Sequence, residues 1–255
     1  MDLGLSGKRA LVGGGGSGIG AGIAGALRSE GAAVVIVGRT PERLQATAEA
    51  IGAASVTADL STSDGPATAI AAATEQLGGL DLLVVNSGGP PAGTFEQLGE
   101  EEWLRAIEGT LQSSLRLIRA ALPHLREGVD PAIAVNLSSS VREPIPGLMT
   151  SNVLRPGLVG LIKSLTAEIA PIRINGVAPG RFATDRVRSL DSGRAASEGL
   201  SVEEVRRQTE ARIPLGRYGS TEEIGRVVAF LLSPAAAYVT GAIVPVDGGM
   251  VRALP

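Results

Sequence analysis

Short apolar runs at 9–12, 33–37, 55–58, 82–85, 132–137, 173–177 and 242–246 are rich in β-branched residues and show no polar alternation. Strands of that kind are covered on both faces, which is the condition of a parallel sheet packed between helices. Apolar residues recur instead at helical spacing over 18–28, 41–51, 66–77, 100–126, 153–169 and 221–232. Thr40 before Pro41 and Glu42, and Ser220 before Thr221, Glu222 and Glu223, supply helix-start signals. The alternation predicts a doubly wound α/β fold: a seven-stranded parallel sheet with helices on both faces, in a single domain spanning 1–255. The stretch 181–214 breaks the rhythm and predicts a helical excursion over the C-terminal edge of the sheet, where ligands of open α/β sheets bind.

Composition narrows the picture. The 255 residues are 44% hydrophobic and 19% charged, too apolar for a disordered chain. With 26 acidic against 23 basic residues there is no electrostatic footprint for nucleic acid. Cysteine is absent and His124, at a predicted helix end, is the single histidine, so thiolate chemistry is excluded and no metal site is expected. No apolar stretch approaches the ~18 residues of a membrane span, and Met1-Asp2-Leu3-Gly4 does not open a secretion signal. A cytoplasmic protein with no membrane partner is the expectation.

The most specific chemistry follows the first strand, in 13–20, where Gly14, Ser17, Gly18, Ile19 and Gly20 form a turn into a helix. Glycines there let backbone N–H groups approach a pyrophosphate, and the helix N-terminus favours its charge. Asn86 and Gly88 follow the fourth strand, Pro179 and Gly180 the sixth, and 238–249 closes the chain with Tyr238-Val239-Thr240-Gly241 and Val246-Asp247-Gly248-Gly249. By these motifs, in this order, the whole chain resembles the short-chain dehydrogenase/reductase family, and is similar to 3-oxoacyl acyl-carrier-protein reductases. The resemblance implies a Rossmann-like fold, a nicotinamide cofactor, and a small carbonyl or alcohol substrate. It also places Asp59 and Leu60 near an adenine, Asn86 near its ribose, and Pro179, Gly180, Phe182 and Thr184 around the nicotinamide. Plainer roles exist: Asp59 can cap a turn and Asn86 can satisfy loop backbone. After the second strand stands Arg39 rather than a carboxylate, which favours NADP(H) over NAD(H), because a guanidinium bonds the 2′-phosphate that an acid would repel. A solvated loop arginine is the alternative.

The family's catalytic group implies a serine, a tyrosine, a lysine four residues later and a supporting asparagine. Ser138, or else Ser139, supplies the serine. The remaining positions fall on Ser151, Arg155 and Thr110, and no tyrosine precedes Tyr218. Arginine does not substitute for a proton-carrying lysine. Two expectations follow: a divergent oxidoreductase with an atypical site, or a weak or inactive NADP(H)-binding sensor or assembly partner. Pro90 and Pro91 in the loop after the fourth strand make either a stiff pocket wall or an ordinary loop. The segment 186–212 holds six arginines and five acids, a near balance that reads as a solvated helix face, with a grip on an anionic substrate as the alternative. Leu154, Leu158, Leu161, Ile162 and Leu165 exceed what one sheet face needs, and with the resemblance they predict a homo-oligomer, a tetramer.

Overall fold

The computed structural model describes residues 2–253. Seven strands, β1 (Arg9–Gly13), β2 (Ala33–Gly38), β3 (Ala54–Thr57), β4 (Leu82–Val85), β5 (Ala132–Asn136), β6 (Arg173–Pro179) and β7 (Ile243–Val246), form one sheet in the order β3-β2-β1-β4-β5-β6-β7. All pairings are parallel. Successive residues of a strand point to opposite faces. Ala10 and Val12 therefore join one core, with Ile23, Leu27 and Val228, while Leu11 joins the other, with Ile70, Leu117 and Ile162. Both faces being apolar is what removed polar alternation from the sequence.

Nine α-helices cover the sheet among the described residues: α1 (Gly18–Ser29), α2 (Pro41–Ile51), α3 (Gly65–Leu77), α4 (Glu100–Ala106), α5 (Ser113–Arg126), α6 (Met149–Glu168), α7 (Asp185–Glu198), α8 (Val202–Glu210) and α9 (Thr221–Leu232). Ser220 caps α9 through Glu223 N, with Glu223 returning to Ser220 N, as its sequence suggests. Thr40 precedes α2 but its side chain makes no cap bond.

Two differences from the sequence reading bear on function. The helix expected over 100–126 is interrupted by a π turn at Ile107–Gln112, an irregularity that concentrates at functional sites. The helix expected from 153 begins at Met149, so Ser151 lies in its first turn. A third difference removes an argument. Leu154, Leu158 and Ile162 are buried, and Leu161 and Leu165 pack against the same core, so this stripe is used by the chain's own sheet. The large apolar side chains left exposed near it are Val153 and Leu104.

Strand order reverses between β1 and β4, and this switch point opens a crevice at the strand C-terminal ends. The turn after β1, the loops after β4, β5 and β6, and the start of α7 converge there.

Candidate active site

The crevice has a volume of about 1770 Å³, against ~300–1,000 Å³ for a site holding one drug-sized ligand. It has room for a dinucleotide and a second molecule. One end is the glycine turn. Gly14 adopts φ 57°, and a Cβ on Gly20 would lie 2.1 Å from the Gly14 carbonyl oxygen, so the turn closes only with glycine at both positions. Ser17 is the N-cap of α1, yet its hydroxyl caps nothing and the first turn carries no acid. The free N–H groups of that turn and the dipole behind them form an anion seat that the chain leaves to a ligand, and a pyrophosphate fits it.

Asn86 serves the turn directly. Its Nδ2 donates to the carbonyls of Gly13 at 2.9 Å and Gly14 at 3.4 Å, while Asn136 Nδ2 donates to Asn86 Oδ1 at 2.7 Å. The plainer role foreseen for Asn86 is thus the one its side chain performs. The same holds in part for Asp59, whose Oδ1 accepts from Ser61 N and Oγ at 2.9 and 2.7 Å. Burial pushes the Asp59 carboxyl up, but these two bonds and the charge of Arg39 outweigh it, and the net shift is downward. Leu60, Gly88, Pro179, Gly180 and Thr184 line the crevice. Phe182 borders it, but its ring is buried in the core beside Gly219, where a Cβ would stand 2.6 Å from the ring; Phe182 is a packing residue. Thr184 caps α7, accepting from Val187 N at 3.3 Å.

At the end beside the turn from β2 to α2, Arg39 is exposed and faces the crevice, and Arg43, one turn into α2, lines it too. Sequence reasoning missed Arg43. Its four-residue spacing from Arg39, across the start of a helix opened by Pro41, was the available signal.

The other end of the crevice collects Thr110, Ser138, Ser151 and Arg155. Ser138 caps a short 3-10 turn (Ser139–Val141), and its Oγ accepts from Ser140 N at 3.1 Å. A hydroxyl whose lone pair is engaged in this way keeps its own proton for another acceptor. Ser138 is half-buried and borders the crevice, whereas Ser139, also on its wall, is buried. Ser140, buried as well, is a member the sequence did not single out: its Oγ stands 3.0 Å from Ser151 Oγ. Thr110 lies in the π turn, and its Oγ1 is sealed from solvent with no hydrogen-bond partner.

Arg155, one helical turn beyond Ser151 on the same face of α6, is 7% exposed. Its Nη1 donates to the carbonyls of Asn136 and Leu137, each at 2.7 Å. A continuous hydrogen-bonded path therefore runs from Arg155 through Asn136 and Asn86 to the glycine turn. Burial, and then the nearby charge of Arg186, pull the Arg155 guanidinium down to about 10, still protonated at neutral pH. The loop carrying Pro90 and Pro91 is tied to the start of α6, with Thr150 Oγ1 donating to Pro91 O at 2.7 Å. No tyrosine, lysine, histidine or cysteine lines the crevice, and no cluster able to hold a metal occurs among the described residues.

Comparison with known proteins agrees with this geometry. The family model described as enoyl-(acyl carrier protein) reductase matches residues 14–251. A 3-oxoacyl-[acyl-carrier-protein] reductase of Aquifex aeolicus is 33% identical, over 98% of this chain and all of that protein. L-Sorbose reductase of Gluconobacter frateurii, solved with NADPH and L-sorbose, superposes with a TM-score of 0.92 at 30% identity over the full length of both chains. An NADPH-bound short chain oxidoreductase of Pseudomonas aeruginosa, described as containing an atypical catalytic center, superposes with a TM-score of 0.86 at 31% identity, over 96% of this chain and 97% of that one. Among the described residues, no helix is long and apolar enough to cross a membrane. By sequence and by structure the chain belongs to the short-chain dehydrogenase/reductase family of oxidoreductases.

Proposed function

We propose that the protein is an NADP(H)-dependent oxidoreductase interconverting a carbonyl and a secondary alcohol, with Ser151 and Arg155 standing where the family carries its tyrosine and lysine. The observation that carries this reading is the state of Ser138: a hydroxyl with its lone pair bonded to Ser140 N and its proton free, on the wall of a crevice that also holds an unclaimed anion seat. NADPH, when bound, supplies the hydride. Ser138 donates its hydrogen bond to the substrate oxygen as negative charge develops there. Arg155, protonated at neutral pH, places a fixed positive charge close by. The Ser140–Ser151 hydroxyl pair passes a proton inward from water, because neither serine is acidic enough to be the source. Removing a donor of the Ser138 kind costs roughly 10²–10³ in kcat. NADPH oxidation assayed across ketones, aldehydes and 3-oxoacyl thioesters is expected to show that loss in Ser138→Ala. Full activity in that variant would overturn the assignment.

The cofactor preference rests on Arg39 and Arg43 flanking one end of the crevice, in line with the NADPH complexes of the relatives described above. Charge-assisted bonds to a 2′-phosphate are worth ~1.5–3 kcal/mol, or roughly 10- to 150-fold in affinity. Fluorescence titration is expected to find NADPH binding more tightly than NADH by a factor in this range, and Arg39→Ala with Arg43→Ala is expected to erase it. Equal dissociation constants in the unaltered protein would defeat the claim.

A further inference from the structure

Resting on the reductase reading above, we propose that Arg186 and Arg155 together form a receptor for a carboxylate on the substrate, so that the preferred substrates are oxo acids rather than neutral ketones. The arginines of 186–212 sort themselves by local pairing. Arg188 pairs with Asp185, Arg194 with Glu198, Arg206 with Glu210 and Arg207 with Glu204, all at helical three- or four-residue spacing. That is the solvated-face pattern, and those four cations are accounted for. Among the described residues two remain without an ion pair: Arg212, exposed beyond α8 with no side-chain hydrogen bond, and Arg186, whose guanidinium is anchored. Arg186 stands in the first turn of α7, open to the crevice, and no acid lies within ion-pair distance of it among the described residues. Its Nη2 donates to the Pro90 carbonyl at 2.6 Å, which anchors the side chain against the loop after β4. A Cβ on Gly89 would meet Arg186 Nε at 2.8 Å, so the bare backbone of that loop is what lets the guanidinium lie flat against it.

Arg155 faces the same space from α6, more than nine-tenths buried and equally without an acid. Its Nη1 is spent on two backbone carbonyls, and its other nitrogens donate to nothing among the described residues. The charge of Arg186 reaches Arg155 and helps to lower its pKa, after burial. The acids that share the crevice wall do not relieve this. Asp185 is committed to Arg188, Glu108 to Arg116 and Glu198 to Arg194, Asp59 accepts from Ser61, and Glu143 pairs with neither arginine. Arg186 is exposed and tolerates standing alone, but an anion bonded to it and to the buried Arg155 would give both a counter-ion. A guanidinium's planar fork matches a carboxylate in two parallel bonds. Because Arg155 also sits beside Ser138 and Ser151, the carboxylate it shares with Arg186 lies one or two carbons from the reacting carbonyl. The reaction is then balanced as oxo acid plus NADPH plus a proton giving hydroxy acid plus NADP⁺: a C–H bond forms at the carbonyl carbon, the C=O π pair moves to oxygen, and that oxygen takes a proton from water.

The test uses 2-oxobutanoate and 3-oxobutanoate against their methyl esters, which remove the charge and keep the carbonyl. Calorimetric titration of the NADP⁺-saturated protein reads binding without turnover, and NADPH oxidation reads kcat/KM. The acids are expected to bind at least 10-fold more tightly than the esters, with a matching advantage in kcat/KM. Arg186→Gln is expected to bring the acid-to-ester ratio to near one, and Arg186→Lys to restore part of it. Equal affinity for acid and ester in the unaltered protein would overturn the proposal. So would an Arg186→Gln variant that loses NADP⁺ affinity by 10-fold or more with the acid-to-ester ratio intact, which would assign Arg186 to a cofactor phosphate. Carboxylate binding without NADPH oxidation would leave the receptor standing and refute the reductase reading instead.

Discussion

Ser151→Tyr combined with Arg155→Lys is expected to raise kcat for NADPH-dependent reduction of neutral ketones by ~10²–10⁴-fold over the unaltered protein, the usual contribution of a positioned general acid. The crevice wall contains no tyrosine, lysine, histidine or cysteine, so nothing on it carries a proton that exchanges near neutral pH. Ser151 and Arg155 share one face of α6 at a separation of four residues and both border the crevice. A phenol at 151 would therefore project into the same space, with an ammonium one turn behind it to lower its pKa. The pH dependence separates the two proteins. The unaltered protein is expected to show a flat kcat from about pH 6 to 9, with loss only as Arg155 deprotonates near 10. The double variant is expected to gain a titrating limb within that window. A variant that binds NADPH normally and shows no acceleration would show that the proton path was lost at Thr110 or elsewhere as well, and would favour a non-catalytic NADP(H)-binding role.

The sequence discloses this site unevenly, for physical reasons. Strands such as 82–85 are legible because four successive buried residues permit almost no polar side chain. The glycine turn is legible because Gly14 and Gly20 tolerate no Cβ. The π turn is not: one extra residue in a turn leaves the apolar spacing of 100–126 nearly unchanged, while it carries Thr110 to the crevice. The start of α6 lies four residues before the one the sequence signals, because Leu148 offers no cap. The place of Phe182 after Pro179 and Gly180 points to the cofactor, but motif position does not say which way a ring turns, and this ring packs into the core. Arg186 was hidden for another reason. In a segment of six arginines and five acids every cation has a candidate partner, and only the helix registers of α7 and α8 decide that Arg186 and Arg212 are the two left over.

At the opposite edge of the sheet, where β1 and β4 begin, Asp81→Ala is expected to destabilise the fold by ~3–5 kcal/mol, the cost of leaving a buried ion pair half-made. The Asp81 side chain is 4% exposed. Its carboxylate accepts from Arg9 N at 2.8 Å, Arg9 Nε at 2.9 Å, Arg9 Nη2 at 2.7 Å and Val129 N at 2.8 Å, tying β1 and the lead into β5 to the start of β4. Burial alone would raise its pKa, but the hydrogen bonds from Arg9 and Val129 and the charge of Arg9 outweigh it, and the carboxyl is held below its ordinary value. A carboxyl depressed by folding contributes its full stability above the unfolded value near ~3.9 and loses it as pH falls through the folded value. The gap between the unaltered protein and Asp81→Ala is therefore expected to be widest at neutral pH and to close only in strong acid. In a chain of this size 1 kcal/mol moves Tm by ~2–4 °C, so circular dichroism at pH 7 should find a drop of roughly 6–20 °C. Because the crevice lies at the far ends of the same strands, the NADPH dissociation constant at 20 °C below the variant's Tm should be unchanged. A Tm within 2 °C of the unaltered protein at pH 7 would show that the four bonds to Asp81 are replaced by water without cost, and the pairing would then have no part in fixing β1 against β4.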